Sequence, residues 1–188
     1  MKNILLLITS FVLLSSSCKK SKPTNPVDQL PPETQTGANT FGCLVNGEVF
    51  KPGGAQLSGG SLQSNFQYLG PGPNGGYYFV LIGRSQPGGG STQTSVGVFA
   101  DSIKINESIR YALLQRKKGN ASADYFGIGP SQVSKFDTDG LQYTGELFIK
   151  KLDTVNQIVS GTFWFDGINS NGQKVEVREG RFDVRYTR

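Results

Sequence analysis

From residue 143 to residue 187, apolar side chains recur at every second position in three runs separated by turn residues. In the first run Tyr143, Leu147 and Ile149 oppose Thr144, Glu146 and Phe148. In the second, Val159, Gly161, Phe163 and Phe165 oppose Ser160, Thr162 and Trp164. In the third, Val175 and Val177 alternate with Glu176 and Arg178. Gly180 interrupts, and Phe182, Val184 and Tyr186 resume the pattern. A period of two belongs to extended strands that bury one face. It predicts an antiparallel meander over Tyr143–Lys151, Gln157–Asp166 and Gln173–Thr187. Gly180 reads as a bulge or bend, because the inward positions change from odd to even across it.

The rest of the chain fits the same class. No amphipathic helix is apparent from Phe41 to Arg188; short β-rich runs are punctuated by Gly, Pro, Asn and Asp. Phe41–Val45 and Glu48–Phe50 flank Asn46-Gly47, the dipeptide suited to a type I′ hairpin. Tyr77–Gly83 is apolar on both faces, which predicts a central strand covered on both sides. Gln93–Ala100 and Ile109–Gln115 are further strands. Between them and Tyr77–Gly83, Arg84–Ser91 is a Gly-rich loop that neither carries the Gly-Lys-Ser/Thr ending nor opens a helix, so it is no phosphate loop. The expectation is an all-β fold, a single antiparallel β-sandwich over residues 41–188, with a lipocalin-like β-barrel as the alternative. That region is long enough to bury close to ~70 % of its unfolded surface and needs no disulfide.

The N-terminus carries an address. Lys2 precedes an apolar run from Ile4 to Leu14, too short for a membrane span of about 20 residues but right for the core of a secretory signal. Ser15-Ser16-Ser17 and Cys18 follow. Small residues directly before a Cys resemble a bacterial lipobox. Residues 1–17 are then a lipoprotein signal peptide, and Cys18 is the lipidated N-terminus of the processed chain. Two or more acyl chains anchor stably, where one binds only marginally. An ordinary cleaved signal with a chance Cys is the plainer alternative. Residues 18–40, with Pro23, Pro26, Pro31 and Pro32, have too little apolar surface to offset ordering and read as a disordered tether. The chain has two Cys. With Cys18 lipidated, Cys43 is a lone thiol within Phe41–Val45 and reads as a small buried hydrophobe.

The opening Gly37-Ala38-Asn39-Thr40-Phe41-Gly42-Cys43-Leu44-Val45-Asn46-Gly47 is similar to that of a family of Bacteroidota lipoproteins of unknown function. Ser160-Gly161-Thr162-Phe163-Trp164-Phe165 and Gly180-Arg181-Phe182-Asp183-Val184 resemble the same family's closing segments. The resemblance implies an envelope β-domain and brings no catalytic residues. In such proteins acidic residues after the lipidated Cys accompany export to the cell surface. Lys19, Lys20 and Lys22 stand there in this chain, which points to the periplasmic face of the outer membrane.

Composition narrows the chemistry. The chain has no His, so it can form no Ser-His-Asp triad, Cys-His pair or His-ligated metal site. No cofactor motif is present. The formal net charge is +5, yet only Arg116-Lys117-Lys118 and Lys150-Lys151 cluster. With export to the envelope, nucleic acid is not an expected partner. Asp137-Thr138-Asp139-Gly140 has the start of a calcium loop without its distal acids and reads as a polar turn. Trp164 and Phe148 fall on the outward face beside Glu146. They are candidate ligand-contact aromatics, a stacking platform for a sugar, unless a second layer covers them. Asp101-Ser102-Ile103 and Asp153-Thr154-Val155 resemble the O-glycosylation motif of exported Bacteroidota proteins, making Ser102 and Thr154 candidate acceptors. The expected role is a non-catalytic, lipid-anchored binding or structural module, with a glycan or an envelope protein as partner. The alternatives are a carboxylate-based hydrolase of envelope or dietary polymers and a barrel carrying an apolar ligand.

Overall fold

The computed structural model describes residues 25–54, 60–73, 75–89 and 91–188. The signal peptide, Cys18 and the lysines after it lie outside the described residues. Among the described residues no helix is long and apolar enough to cross a membrane. The strands are β1 (Thr40–Val45), β2 (Glu48–Phe50), β3 (Gly53–Gly54), β4 (Leu62–Tyr68), β5 (Tyr77–Gln86), β6 (Gln93–Asp101), β7 (Ile109–Leu113), β8 (Ala121–Ile128), β9 (Val133–Asp137), β10 (Gly145–Asp153), β11 (Ile158–Ile168) and β12 (Lys174–Arg185).

The fold is all-β, and its strand path closes. Neighbours run β12-β11-β10-β7-β8-β6-β5, and β4 pairs the far side of β5. The ring is completed just past β12: the Phe66 amide donates to the Thr187 carbonyl at 2.9 Å and the Thr187 amide to that of Ser64 at 3.0 Å. Of the two expected closures, the barrel is therefore the one formed, in place of two stacked sheets. Closure removes most sheet edges. Strand β1 lies on β12 beyond the ring, paired from Thr40↔Asp183 to Val45↔Val177, and carries β2. Asn46 and Gly47 both have positive φ, 50° and 83°, the type I′ geometry that the dipeptide predicts.

One seam in the ring is thin. β7 and β8 share a single parallel bridge, Leu113↔Ala121. Strand β9 fills the gap by pairing β8 along its length and touching β11 at Ile168↔Asp137. The buried Thr138 hydroxyl stitches the same place, donating to the Leu114 carbonyl at 2.5 Å and accepting from the Ala123 amide at 3.2 Å. Strands β4, β8 and β9 are absent from the sequence reading. β4 (LQSNFQY) alternates, but with Gln, Ser and Asn; β8 opens on Ala-Ser-Ala. Those residues carry low β propensity and are held in place by their neighbours.

The interior is filled. Phe79, Leu81, Val96, Val98, Leu113, Leu147, Ile149, Phe165 and Val177 are all fully buried. Phe163 and Phe182 pack at 6.4 Å between ring centroids, and Phe41 against Phe163 at 5.3 Å. Side chains fill small barrels to crystal-like density. On β5 only the inner face is fully covered: Phe79 and Leu81 are buried, while Val80 and Ile82 are half-buried. Cys43 sits in this core with no exposure, and burial pushes its thiol far above its ordinary range, which makes it inert.

Residues 25–39 are not a disordered spacer; they dock on the barrel. Pro26–Gln29 form a 3-10 turn capped by the Asn25 side chain, and Leu30 is buried. Pro31 lies over Gly42 so closely that a Cβ there would stand 2.6 Å from Pro31 Cδ. The tie is Asp183, an outward residue of β12 with no exposure. Its carboxylate accepts from the Thr34 hydroxyl at 2.6 Å and the Thr36, Gly37 and Ala38 amides at 2.9, 2.7 and 3.2 Å, with the Thr36 hydroxyl at 3.3 Å. Burial pushes this carboxyl up, and the hydrogen bonds outweigh it, holding the group below the usual carboxylate range. A segment with little apolar surface is thus held by Leu30 and Pro31 at one end and, over residues 34–38, by one buried anion distant in sequence.

Candidate functional site

The outer faces of β7, β10, β11 and β12 form a shallow open groove of about 400 Å³. Cross-strand register builds its floor. Arg110 lies opposite Phe148, Phe148 opposite Thr162, and Thr162 opposite Arg181, while Glu146 faces Trp164 one row along. Same-face residues that stand opposite one another are near neighbours. Trp164 and Phe148, the two outward aromatics of the sequence, line this one groove. Among the described residues no second layer covers Trp164, which is 41 % exposed. Phe148 is half-buried beneath the Arg110 guanidinium, 4.1 Å from the ring centroid.

Two bulges supply part of the rim. Between Phe163 and Phe165 of β11, partner β12 inserts one extra residue, around Arg178 and Glu179, and Glu179 has φ of 55°. This is the irregularity that Gly180 announced in the sequence. Gly180 is required there because a Cβ would stand 2.5 Å from the Phe163 carbonyl oxygen. In β10, Lys150 is the extra residue opposite the Gly161–Ser160 step. Bulges re-aim side chains, and here they turn Glu179 and Lys150 into the groove. The docked N-terminal segment adds the remaining wall through Glu33.

Every charge on the groove has a partner. Arg110 pairs with Glu146, Lys150 with Glu33, and Arg181 with Glu179 at 3.1 Å. Arg178 sits 5.5 Å from the Trp164 ring centroid and pairs with Asp166 at 2.6 Å. Three acids and three bases leave the groove electrically balanced, with donors and acceptors fixed around an open indole. Sequence reading found the two aromatics and Glu146, because alternation reveals the outward face. It marked Lys150 only as part of a basic cluster and missed Glu33, Arg110, Glu179 and Arg181, whose meeting depends on register and on the docked segment.

The other candidates are placed as follows. Ser102 is half-buried with φ of 59°; its hydroxyl lies 3.2 Å from the Gly75 carbonyl and 3.0 Å from the Asp101 carboxylate. Thr154 is exposed on the turn between β10 and β11. Asp139 is used by its own turn, accepting from the Leu141, Gln142 and Tyr143 amides, which holds its carboxyl below the usual range. Asp137 pairs with Lys135 at 2.6 Å. Among the described residues no group of three or more acids and cysteines is placed to hold a metal ion. Of the basic clusters, Arg116 stacks over Phe99 at 4.0 Å and Lys118 donates to the Pro73 carbonyl. Asp124 faces Asp137 across β8 and β9. Burial pushes Asp124 up to about 6 against the pull of Lys135 and Arg116, with Asp137 adding to the rise.

Compared with family models, curated proteins and solved structures, the chain gives no match.

Proposed function

We propose that this protein is a non-catalytic binding module of the bacterial cell envelope, anchored through lipid on Cys18 at the periplasmic face of the outer membrane, and that it takes a neutral glycan in the groove at Trp164. The observation that carries the ligand class is an exposed indole on the floor of a groove whose six charged side chains neutralise one another. Indole faces stack on the C–H faces of pyranose rings, and fixed carboxylates and guanidinium groups hydrogen-bond to hydroxyls without favouring a charged ligand. The anchor rests on the signal-like run, Ser15-Ser16-Ser17 and Cys18, and on the resemblance to Bacteroidota lipoproteins. The filled interior supports a surface ligand over an apolar cargo. The acids of the groove are all engaged by bases, an arrangement suited to holding hydroxyls.

Trp164 is the sole Trp, so the protein reports on its own groove. Titration with neutral oligosaccharides of envelope or dietary type is expected to shift Trp164 fluorescence saturably, and Thr162→Arg, which fills the groove floor, to abolish the shift. A panel of such sugars that leaves the emission unchanged refutes the groove assignment. For the anchor, Cys18→Ser is expected to release the protein from the membrane fraction and to stop palmitate incorporation; continued labelling refutes it.

A further inference from the structure

A second concavity, of about 480 Å³, opens where β4, the start of β5, the loop after β6, the β10–β11 turn and the chain's last residues converge. It shares no lining residue with the Trp164 groove. Its walls are aromatic. Phe66 and Tyr77 stack at 5.8 Å and 26°, Tyr68 lies 4.8 Å from Tyr77, and Tyr186 meets Phe66 edge-on at 5.7 Å. Tyr68 leaves 54 % of its surface open, while Phe66 and Tyr186 are buried and Tyr77 is half-buried. The side chains that line it are charged with one sign only. Lys104 and Arg188 line it, and no acidic side chain does. The Lys104 ammonium stands 5.4 Å above the Tyr77 ring, and the Arg188 guanidinium donates to the Thr154 carbonyl at 2.6 Å. Neither cation is in a salt bridge among the described residues.

We propose that this pocket binds a carboxylated pyranose, the uronate unit of an acidic glycan. The volume suits one or two sugar rings, within the range of small-ligand sites. An open tyrosine face supplies stacking, and the phenol groups and Gln67 supply hydrogen bonds to hydroxyls. Lys104 and Arg188 supply the counter-charge that a carboxylate needs and a neutral sugar does not. The contrast with the groove that selects the ligand is in side-chain charge: balanced there, positive here. The two sites share no lining residue and would let one barrel hold two stretches of polysaccharide of unlike charge.

The test uses the full-length protein purified in detergent and calorimetry with an oligogalacturonide, a neutral galactose oligomer of equal length, and benzoate. The oligogalacturonide is expected to bind at least about tenfold more tightly than the neutral oligomer, and to weaken as salt rises. Lys104→Gln and Tyr68→Ala, both at exposed positions, are each expected to weaken it by about tenfold or more with melting temperature unchanged. Trp164→Ala is expected to leave it unchanged, which separates this pocket from the groove. Equal affinity for the acidic and neutral oligomers, insensitivity to Lys104→Gln, or no saturable binding of the oligogalacturonide overturns the proposal. Binding of benzoate in place of the oligogalacturonide overturns the sugar assignment.

Discussion

Asp183→Asn tests what orders the N-terminal segment. Oδ1 accepts from the Gly37 amide, and Oδ2 from the Thr34 and Thr36 hydroxyls and the Thr36 and Ala38 amides. An Asn has one acceptor oxygen. Whichever way its amide is turned, an NH₂ group faces at least one backbone N–H, and the charge is gone. A hydrogen bond to a charged group contributes about 1.5–3 kcal/mol, and an orphaned buried donor costs about 1–3 kcal/mol. Taking these as partly overlapping, the substitution should cost about 3 kcal/mol. For a domain of this size that is a fall of about 6–12 °C in Tm. If the segment lifts off before the barrel melts, the Tm change shrinks. The loss then appears as faster hydrogen exchange at the Thr36, Gly37 and Ala38 amides, which mass spectrometry resolves at peptide level. The pH dependence has a fixed sign. A carboxyl held below its ordinary range contributes stability that is complete above about pH 4 and is lost as pH falls through the folded value. A Tm within about 2 °C of the parent, together with unchanged protection of those amides at pH 7, would refute the reasoning.

Asp124 has the opposite sign. Raised to about 6, it burdens the fold when ionised, by about 3 kcal/mol at most for two pH units. Stability should therefore rise as pH falls from 8 to about 4.5, and Asp124→Asn should raise Tm at pH 8 and flatten that slope; a parent whose Tm is flat from pH 5 to 8 contradicts this. Gly42→Val places side-chain atoms where Pro31 packs and should release residues 25–39 to limited proteolysis while the β signal in circular dichroism persists; unchanged protection argues against the contact. Trp164→Ala should cost less than about 1 kcal/mol in urea unfolding, because the ring is solvent-facing, and a loss of several kcal/mol would mean that it packs. Cys43 should stay unreactive toward thiol reagents until the protein unfolds; stoichiometric labelling of the native protein would contradict its burial.

What the sequence determined by itself is local. Alternation requires only that one strand face be buried, so the sides taken by Phe163, Trp164 and Phe165 are legible without any partner. The Asn46-Gly47 turn and the phase change at Gly180 are legible for the same reason, since each is a property of a few adjacent residues. What the tertiary structure decided is non-local. Closure into a barrel rests on Thr187 reaching Ser64 and Phe66, a pairing between distant segments whose polar members show no strong periodic signal. The order of residues 34–38 rests on the Asp183 carboxylate, and composition is blind to it because the anion that organises them lies 145–149 residues away. The groove combines both kinds of information. Its aromatics follow from alternation, but the neutralising pairs Lys150–Glu33 and Arg181–Glu179 exist only because two bulges and a docked segment bring them together. Side-chain period is set by backbone geometry, whereas register and closure are set by the summed packing of the whole sheet.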